Sequence, residues 1–286
     1  MARKKKTRPH SSKKKVRRWF ILSGVIFLLM ASLTATGYFI FLRPGQRTIP
    51  PGVEKTPTAL PRPPVKKAKP KVAIVIDDMG YRKIEGDILL NINLNLSFSF
   101  LPFAPHSTDQ AHKAQEKGRD VLLHLPLEPY DPTWDLGPGG LYISMSRKEL
   151  RSAFVKDLAF VPMAIGVNNH MGSRFCENRP AMRVLLEIVR EKNLFFLDSL
   201  TSSKSVGYTL AKSMGIRTER RNIFLDNEAD NGKIGAQFEA LFAEAEKNGQ
   251  AIGLAHPHPA TLETLKEFQH RLGTEVNLVG ISELMR

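Results

Sequence analysis

Aspartate, histidine and asparagine recur in this sequence where short apolar runs end. These positions are Asp77-Asp78, His124, Asn169-His170, Asp198-Ser199, Asp226 and His256-Pro257-His258. Carboxylate and imidazole groups bind zinc and similar divalent ions, and they are also common general acids and bases. The single cysteine, Cys176, excludes an intrachain disulfide and a zinc site built from several cysteines. If these side chains converge, they predict a metal site with nitrogen and oxygen ligands.

The first of these positions, Asp77-Asp78, follows five apolar residues, Val72–Ile76, most of them β-branched. Such a run predicts a strand that is buried on both faces. In parallel α/β folds, the carboxyl ends of the strands open onto the ligand site. Because successive side chains of a strand point in opposite directions, we expect the two carboxylates to have different roles. The alternative is a solvated turn, in which Asp-Asp-x-Gly is ordinary.

From Lys71 onward, short apolar runs alternate with amphipathic stretches, which is typical of a parallel sheet with helices outside it. The predicted strands are 72–76, 95–101, 120–124, 164–170, 194–198, 221–226 and 251–256, with a short one at 276–279. About seven β/α units predict an α/β fold, a distorted (β/α)7-type barrel over residues 71–286. A barrel gathers the carboxyl ends of its strands at one mouth, so the polar residues are predicted to meet there.

Positive charge is concentrated before this domain. Residues 1–71 contain 18 Lys and Arg and one acidic residue, so their net charge is +17, and the rest of the chain carries −3. A slightly acidic domain gains nothing from a phosphate backbone, so no nucleic-acid partner is expected.

The first 70 residues predict membrane attachment. Residues 1–18 contain ten Lys or Arg and predict a basic cytoplasmic tail, and Trp19–Leu42 is uncharged and long enough to span a bilayer as a signal anchor. The alternative, a cleaved signal peptide, has a shorter apolar region of about 7–15 residues. Residues 43–70 hold eight of the 19 prolines and predict a semi-extended linker. We expect a single-pass inner-membrane protein that contacts lipid through its anchor, with residues 71–286 on the periplasmic or extracellular side.

Five short motifs lie at the ends of the predicted strands: Ile76-Asp77-Asp78-Met79-Gly80, His124-Leu125-Pro126-Leu127-Glu128-Pro129, Asn169-His170-Met171-Gly172-Ser173, Leu197-Asp198-Ser199-x-Thr201 and Gly253-x-x-His256-Pro257-His258. Together they resemble the motifs of the divergent polysaccharide deacetylase family, a branch of the metal-dependent carbohydrate esterases. The likeness extends from Val72 to Arg286. It implies the barrel of that family and a site at its mouth.

The resemblance also implies roles for individual residues. Asp77 resembles the catalytic base of that family, and Asp78 and His124 resemble its metal ligands. His256 or His258 resembles its general acid, a histidine that occurs late in the sequence. Mainstream relatives carry a second histidine four residues after the first, where this chain has Glu128. Either Glu128 or His170 then supplies the third ligand. We prefer His170, because two histidines and one carboxylate leave open positions for water and substrate.

Other residues of these motifs are expected around the ligands or against the substrate. Asp198 is a candidate for orienting a histidine, Asn169 and Ser199 are further candidates, and Asp226 is either such a residue or part of a turn. Tyr130, Trp134 and Tyr142, in the loop after the third strand, either stack on sugar rings or pack internally.

The function that the resemblance implies is a membrane-anchored, metal-dependent hydrolase. It would remove N- or O-acetyl groups from a cell-envelope polysaccharide, with a divalent metal ion as cofactor and zinc as the expected ion. The alternative is a non-catalytic envelope protein that uses the same barrel to bind a glycan or a protein partner. The departure at Glu128 keeps that alternative open.

Overall fold

A computed structural model describes Met30 and residues 68–286. The predicted basic tail, the predicted anchor apart from Met30, and the predicted linker up to residue 67 lie outside the described residues. Within the part of the chain that is described, no helix has both the length and the apolar character needed to cross a membrane.

Short strands and amphipathic helices alternate along residues 71–286. The strands are β1 (Lys71–Met79), β2 (Ser97–Phe100), β3 (Val121–Leu127), β4 (Gly166–Met171), β5 (Phe195–Asp198), β6 (Thr218–Arg220), β7 (Ile223–Phe224), β8 (Gln250–Ala255) and β9 (Asn277–Leu278). The helices are α1 (Lys83–Asn91), α2 (Ser107–Glu116), α3 (Arg147–Phe160), α4 (Ser173–Glu177), α5 (Arg179–Glu191), α6 (Gly207–Ser213), α7 (Asn231–Asn248) and α8 (Pro259–Thr274). A 3₁₀ helix, Ile281–Glu283, follows β9.

All strand pairs are parallel, and the strand order is β6-β5-β4-β3-β2-β1-β8-β7, with β9 beside the start of β1. The two ends of this order, β6 and β7, are consecutive in the chain. The Arg221 amide donates to the Asp198 carbonyl in β5, and the next amide, of Asn222, donates to the Ile252 carbonyl in β8. The sheet therefore curls into a barrel that is interrupted between β6 and β7.

The prediction of a parallel α/β fold with outer helices is confirmed, but the predicted sixth strand, 221–226, is wrong in its bounds. The chain pairs with β5 before residue 221 and with β8 after residue 222. One continuous strand cannot form there, because the hydrogen-bonding partner changes in its middle.

The alternation of side chains along β1 separates two layers of core. Val72, Ile74 and Ile76 belong to the large cluster packed under the helices. Ala73 and Val75 belong to a smaller cluster inside the barrel, which also contains residues of the C-terminal segment 281–285. The next residue on the inner side of β1 is Asp77. The apolar filling of the barrel therefore ends where the polar residues begin.

Candidate metal centre and active site

Asp77 and Asp78 both reach the barrel mouth because β1 carries a bulge at its end. The register of β1 against β2 shifts between Ile76 and Met79, and Asp78 adopts a left-handed backbone conformation with φ of 53°. In a regular strand, Asp78 would point with Ile76 towards the helices. Instead both carboxylates line one cleft of about 410 Å³, which corrects the expectation that they point in opposite directions.

Asp78, His124 and His170 bring three possible ligand atoms together. Oδ1 of Asp78 lies 3.1 Å from Nε2 of His124 and 2.9 Å from Nδ1 of His170. Bonds from zinc to nitrogen or oxygen are about 2.0–2.2 Å long, so the ligand atoms of one tetrahedral ion lie about 3.3–3.6 Å apart, close to these two distances. Among the described residues, no hydrogen bond of acceptable geometry reaches the buried Asp78 Oδ1. This oxygen, with two imidazole nitrogens facing it, fits a divalent cation.

Glu128, the other candidate for third ligand, is engaged elsewhere. Its Oε2 accepts a hydrogen bond from the Ile143 amide at 2.7 Å, and its Oε1 accepts one from Arg174 at 2.8 Å. Glu128 thus braces the loop 128–146, and it does not belong to the group that could hold a metal ion. The structure brings His170, the preferred candidate, to the other two ligands.

The two adjacent carboxyl groups have opposite electrostatic environments. Burial raises the pKa of Asp77, against the opposing charges of His124 and His256. Burial acts in the same direction on Asp78, but the contacts from His124 and His170 outweigh it and hold the pKa of Asp78 well below its usual range. Carboxyl groups whose pKa values are separated in this way suit different roles, one as a base and one as an anionic ligand.

His256 is held in place by Asp226. Oδ1 of Asp226 lies 2.9 Å from Nδ1 of His256, and Oδ2 accepts hydrogen bonds from the His256 amide and the Thr261 hydroxyl, each at 2.6 Å. Burial alone would lower the pKa of His256, but Asp226 and the two carboxylates of β1 raise it to about 9. His256 is therefore protonated at neutral pH. Its Nε2 faces the cleft, 3.8 Å from Asp78 Oδ2.

His258 lies beside His256, but it does not line the cleft. Burial lowers the pKa of His258. Asp226, His256 and His258 are close enough to form a second group of possible metal ligands. Both oxygens of Asp226 are already engaged, however, by hydrogen bonds with His256 and Thr261.

Asp198 and Asn169 organise the loop that follows β5. The Asp198 carboxylate accepts hydrogen bonds from the Leu200 amide, the Ser205 hydroxyl and the Tyr208 amide, at 2.7–2.9 Å. None of its partners within the described residues is a histidine, so the expectation that Asp198 orients one is corrected in favour of Asp226. Asn169 accepts a hydrogen bond from the Ser199 amide at 2.9 Å and fixes the start of the same loop.

Sequence reasoning missed two residues of the site. Asn168 is completely buried and lies between Asp77 and His124. Its side-chain amide is hydrogen-bonded to both of them. The sequence feature that could have identified it is a polar residue at a position of β4 that faces the inside of the barrel. Arg221 lines the cleft and donates hydrogen bonds to the carbonyls of Ser199 and Leu200, at 2.7 and 2.9 Å. Its position in the charged run 219–221 gave no signal.

Of the three aromatic residues predicted to contact sugar or to pack internally, Trp134 lines the cleft and is 58% exposed. Tyr130 instead donates a hydrogen bond to Glu177 at 2.8 Å, and Tyr142 lies outside the cleft lining. The exposed ring of Trp134 thus stands at the same mouth as the carboxylates and histidines.

Comparison with known proteins identifies the family. The sequence model of the divergent polysaccharide deacetylase family matches residues 74–285. An uncharacterised protein of Haemophilus influenzae is 36% identical over 219 residues, which cover 77% of this chain and 78% of that protein. The uncharacterised protein YibQ of Escherichia coli is 35% identical over 215 residues, which cover 75% of this chain and 67% of that protein.

A solved structure shares the fold. The crystal structure of the uncharacterised protein ATU2773 from Agrobacterium tumefaciens C58 matches with a TM-score of 0.73 and 24% identity, over 78% of this chain and 92% of that chain. The chain belongs to the divergent polysaccharide deacetylase family, and the family prediction is confirmed.

Proposed function

We propose that this member of the divergent polysaccharide deacetylase family is a metal-dependent hydrolase that removes N- or O-acetyl groups from a cell-envelope polysaccharide. One observation carries the proposal. A possible three-ligand set, Asp78, His124 and His170, lies beside a buried carboxyl group, Asp77, and a protonated imidazole, His256.

The ligand set defines what the cofactor would contribute. Asp78, His124 and His170 would hold a divalent ion, for which we propose zinc, since two imidazoles and one carboxylate are a common catalytic zinc set. When bound, such an ion supplies Lewis-acid chemistry, which polarises a carbonyl group and lowers the pKa of water.

Asp77 and His256 would move the protons. Asn168 already donates to Oδ1 of Asp77 at 2.8 Å, so we assign the other oxygen, Oδ2, to accept a proton from the attacking water. The raised pKa of Asp77 makes it a stronger base than an ordinary aspartate. His256, which Asp226 keeps protonated, would donate its Nε2 proton to the departing amine or alkoxide.

The cleft supports a sugar substrate. It is open to solvent, and Trp134 presents an exposed aromatic face beside polar side chains such as Thr201 and Asn227. A flat aromatic ring with polar groups around it combines apolar contact with hydrogen bonding, as a sugar ring requires. Family membership supports a glycan as the substrate class.

We further propose that the protein acts at the inner membrane, with residues 71–286 on the periplasmic or extracellular side, where a cell-envelope glycan lies. The charge pattern supports this location, since ten basic residues precede Trp19–Leu42 and two, Arg43 and Arg47, closely follow it.

One observation favours a second candidate function. Glu128 stands where mainstream relatives carry a ligand histidine, and its carboxylate is committed to Ile143 and Arg174. A barrel altered in this way could bind a glycan or a protein partner without turnover.

Acetate release separates the two functions. We would load the full chain with zinc, offer N-acetylglucosamine oligomers and peptidoglycan fragments, and compare wild type with Asp77→Asn. General-base catalysis typically contributes about 10²–10⁴-fold, so the variant should lose most of the rate and keep the ion. Thr218→Val serves as the control. It removes a buried hydroxyl that donates a hydrogen bond to the Phe196 carbonyl, at the end of the barrel opposite the mouth. If wild type and Asp77→Asn both bind zinc and both release no acetate from any of these glycans, binding without turnover becomes the better account.

A further inference from the structure

Asn168 occupies the centre of a buried network at the barrel mouth. Its side chain is inaccessible to solvent and meets four others. Its Nδ2 donates to Asp77 Oδ1 at 2.8 Å and to the Ser199 hydroxyl at 3.2 Å. Its Oδ1 accepts from the Ser99 hydroxyl and lies 2.9 Å from Nδ1 of His124. The amide therefore uses both of its donors and accepts at its oxygen.

The carboxylate of Asp77 decides which way this amide faces. An ionised carboxylate only accepts hydrogen bonds, so it requires the NH₂ group of Asn168 on its side. The opposite orientation would place the amide oxygen against the carboxylate, where two acceptors repel each other. The Asn168 oxygen must therefore face His124.

That oxygen in turn selects the tautomer of His124. An amide oxygen carries no hydrogen, so the contact with Nδ1 is a hydrogen bond only if Nδ1 carries the proton. In the neutral imidazole, Nε2 is then free of hydrogen, and it is Nε2 that faces Asp78 Oδ1. The nitrogen that the proposed ion would need is thus left available by a contact on the far side of the ring.

We propose that Asn168 is a positioning residue that connects the base to the ligand set, because its amide is oriented by Asp77 and fixes His124 with Nε2 free to bind a metal. This inference rests on the proposed function. Asp77 and His124 do not bond directly, since Asp77 Oδ1 and His124 Nδ1 lie 3.9 Å apart. The amide bridges them, and neither an apolar nor an acidic residue can supply both its donor and its acceptor.

The tautomer can be read without any activity measurement. We would label the histidines of the full chain with ¹⁵N and record long-range ¹H–¹⁵N correlation spectra of the metal-free protein, at a pH high enough to leave every histidine neutral. The resonances of His124 are identified by their loss in His124→Gln. Wild type should show His124 with the proton on Nδ1.

Two variants separate the acceptor role from the donor role. Asn168→Leu removes both, so His124 should show a mixture of tautomers, and zinc affinity measured against a chromophoric chelator should fall about 10–100-fold. Asn168→Asp keeps the acceptor, so it should retain the Nδ1 proton and zinc binding near the wild-type level. Asn168→Asp should nevertheless lower kcat, because it replaces the donor to Asp77 with a negative charge. Thr218→Val, the control, should change neither the tautomer nor the zinc affinity.

The outcomes distinguish this inference from the proposed function. A wild-type His124 with its proton on Nε2 overturns the inference, and so does an unchanged tautomer with unchanged zinc affinity in Asn168→Leu. Should Asn168→Leu fail to fold, the wild-type and Asn168→Asp spectra decide, since both must show the Nδ1 proton. If the tautomer depends on Asn168 but wild type binds no zinc, the assignment of Asn168 stands and the proposed hydrolase falls.

Discussion

Replacing Asp157 with asparagine should stabilise the protein at neutral and alkaline pH. Asp157 lies on α3 and is only 1% exposed, and its Oδ2 is buried without a hydrogen-bond partner among the described residues. Burial raises the pKa of this carboxyl group to about 8, against the opposing charge of Lys156. The side chain packs against Gly139, in the loop that carries Trp134: a Cβ at residue 139 would lie 2.7 Å from Asp157 Oδ1.

The sign and size of the effect follow from proton linkage. In the unfolded chain Asp157 ionises with a pKa of 3.8, whereas the folded protein keeps its proton to about pH 8. The folded state therefore binds more protons between these values, and the free energy of unfolding falls as pH rises from about 4 to about 8. Each pKa unit is worth about 1.4 kcal/mol, which sets a ceiling of about 5–6 kcal/mol. Because local relaxation and water lower the cost of a buried charge, we expect about 2–4 kcal/mol.

Urea unfolding of the full chain at a series of pH values between about 4 and 8 tests this, with stability compared between wild type and Asp157→Asn. The two should differ little at the acid end, and the variant should gain about 2–4 kcal/mol over wild type at the alkaline end. Asp109→Asn, which alters an exposed aspartate on α2, is the matched control and should follow the wild-type pH dependence. If Asp157→Asn keeps the wild-type slope, the carboxyl group is hydrated or paired and the reasoning is wrong.

Two further predictions concern the ion and the membrane. His170→Ala should lose most of its zinc and Glu128→Gln should keep it, as measured by metal content. Chelation should lower the Tm of wild type in thermal unfolding, because zinc binding stabilises only the folded state. Zinc that survives in His170→Ala but not in Glu128→Gln would make Glu128 the third ligand instead of His170. A reporter enzyme that works only outside the cytoplasm should be active when it is fused after Arg286, because ten basic residues precede Trp19–Leu42. Activity of a fused reporter that works only in the cytoplasm would contradict the predicted anchor, and so would a mature N-terminus found near Thr36.

The general layout of the site could be predicted because strand ends in a parallel barrel share one mouth. The pattern of apolar runs was enough to place Asp77 at the end of β1 and His124 in β3. Two features depended on long-range geometry that a pattern does not contain. The bulge that turns Asp78 towards the histidines arises from the register of β1 against β2. The break at Arg221 arises because β5 and β8 compete for adjacent amides.

Residue type alone also failed to separate the two aspartates near the histidines. Asp198 and Asp226 both end or follow an apolar run, and the sequence favoured Asp198 as the partner of a histidine. In the structure, the carboxylate of Asp198 is used by the amides and hydroxyl of its own loop. Asp226 lies beside the end of β8 and reaches His256 instead. Which carboxylate orients the imidazole depends on strand neighbours and not on spacing.

The departure at Glu128 has a structural explanation in the pairing of β3 with β4. His124 lies opposite Asn168 in this ladder, and His170 lies opposite Pro126, two residues further along. Alternate residues of neighbouring strands face the same side, so His124 and His170 both point into the mouth, with ring centroids 5.1 Å apart. Glu128 lies beyond the end of β3, where it braces the loop instead.

A ligand pair taken from two hydrogen-bonded strands is held by the ladder itself. Its spacing therefore does not depend on the loop after β3, in contrast to a pair in which the second ligand lies at position 128. The ladder of β3 and β4 therefore positions the proposed ligands. The loop 128–146 forms the surface around Trp134, and its sequence can change without moving those ligands. Changes in that loop should alter which glycan is accepted and leave zinc affinity unaffected. His170→Ala and Asn168→Leu, both in the ladder, should instead lower zinc affinity.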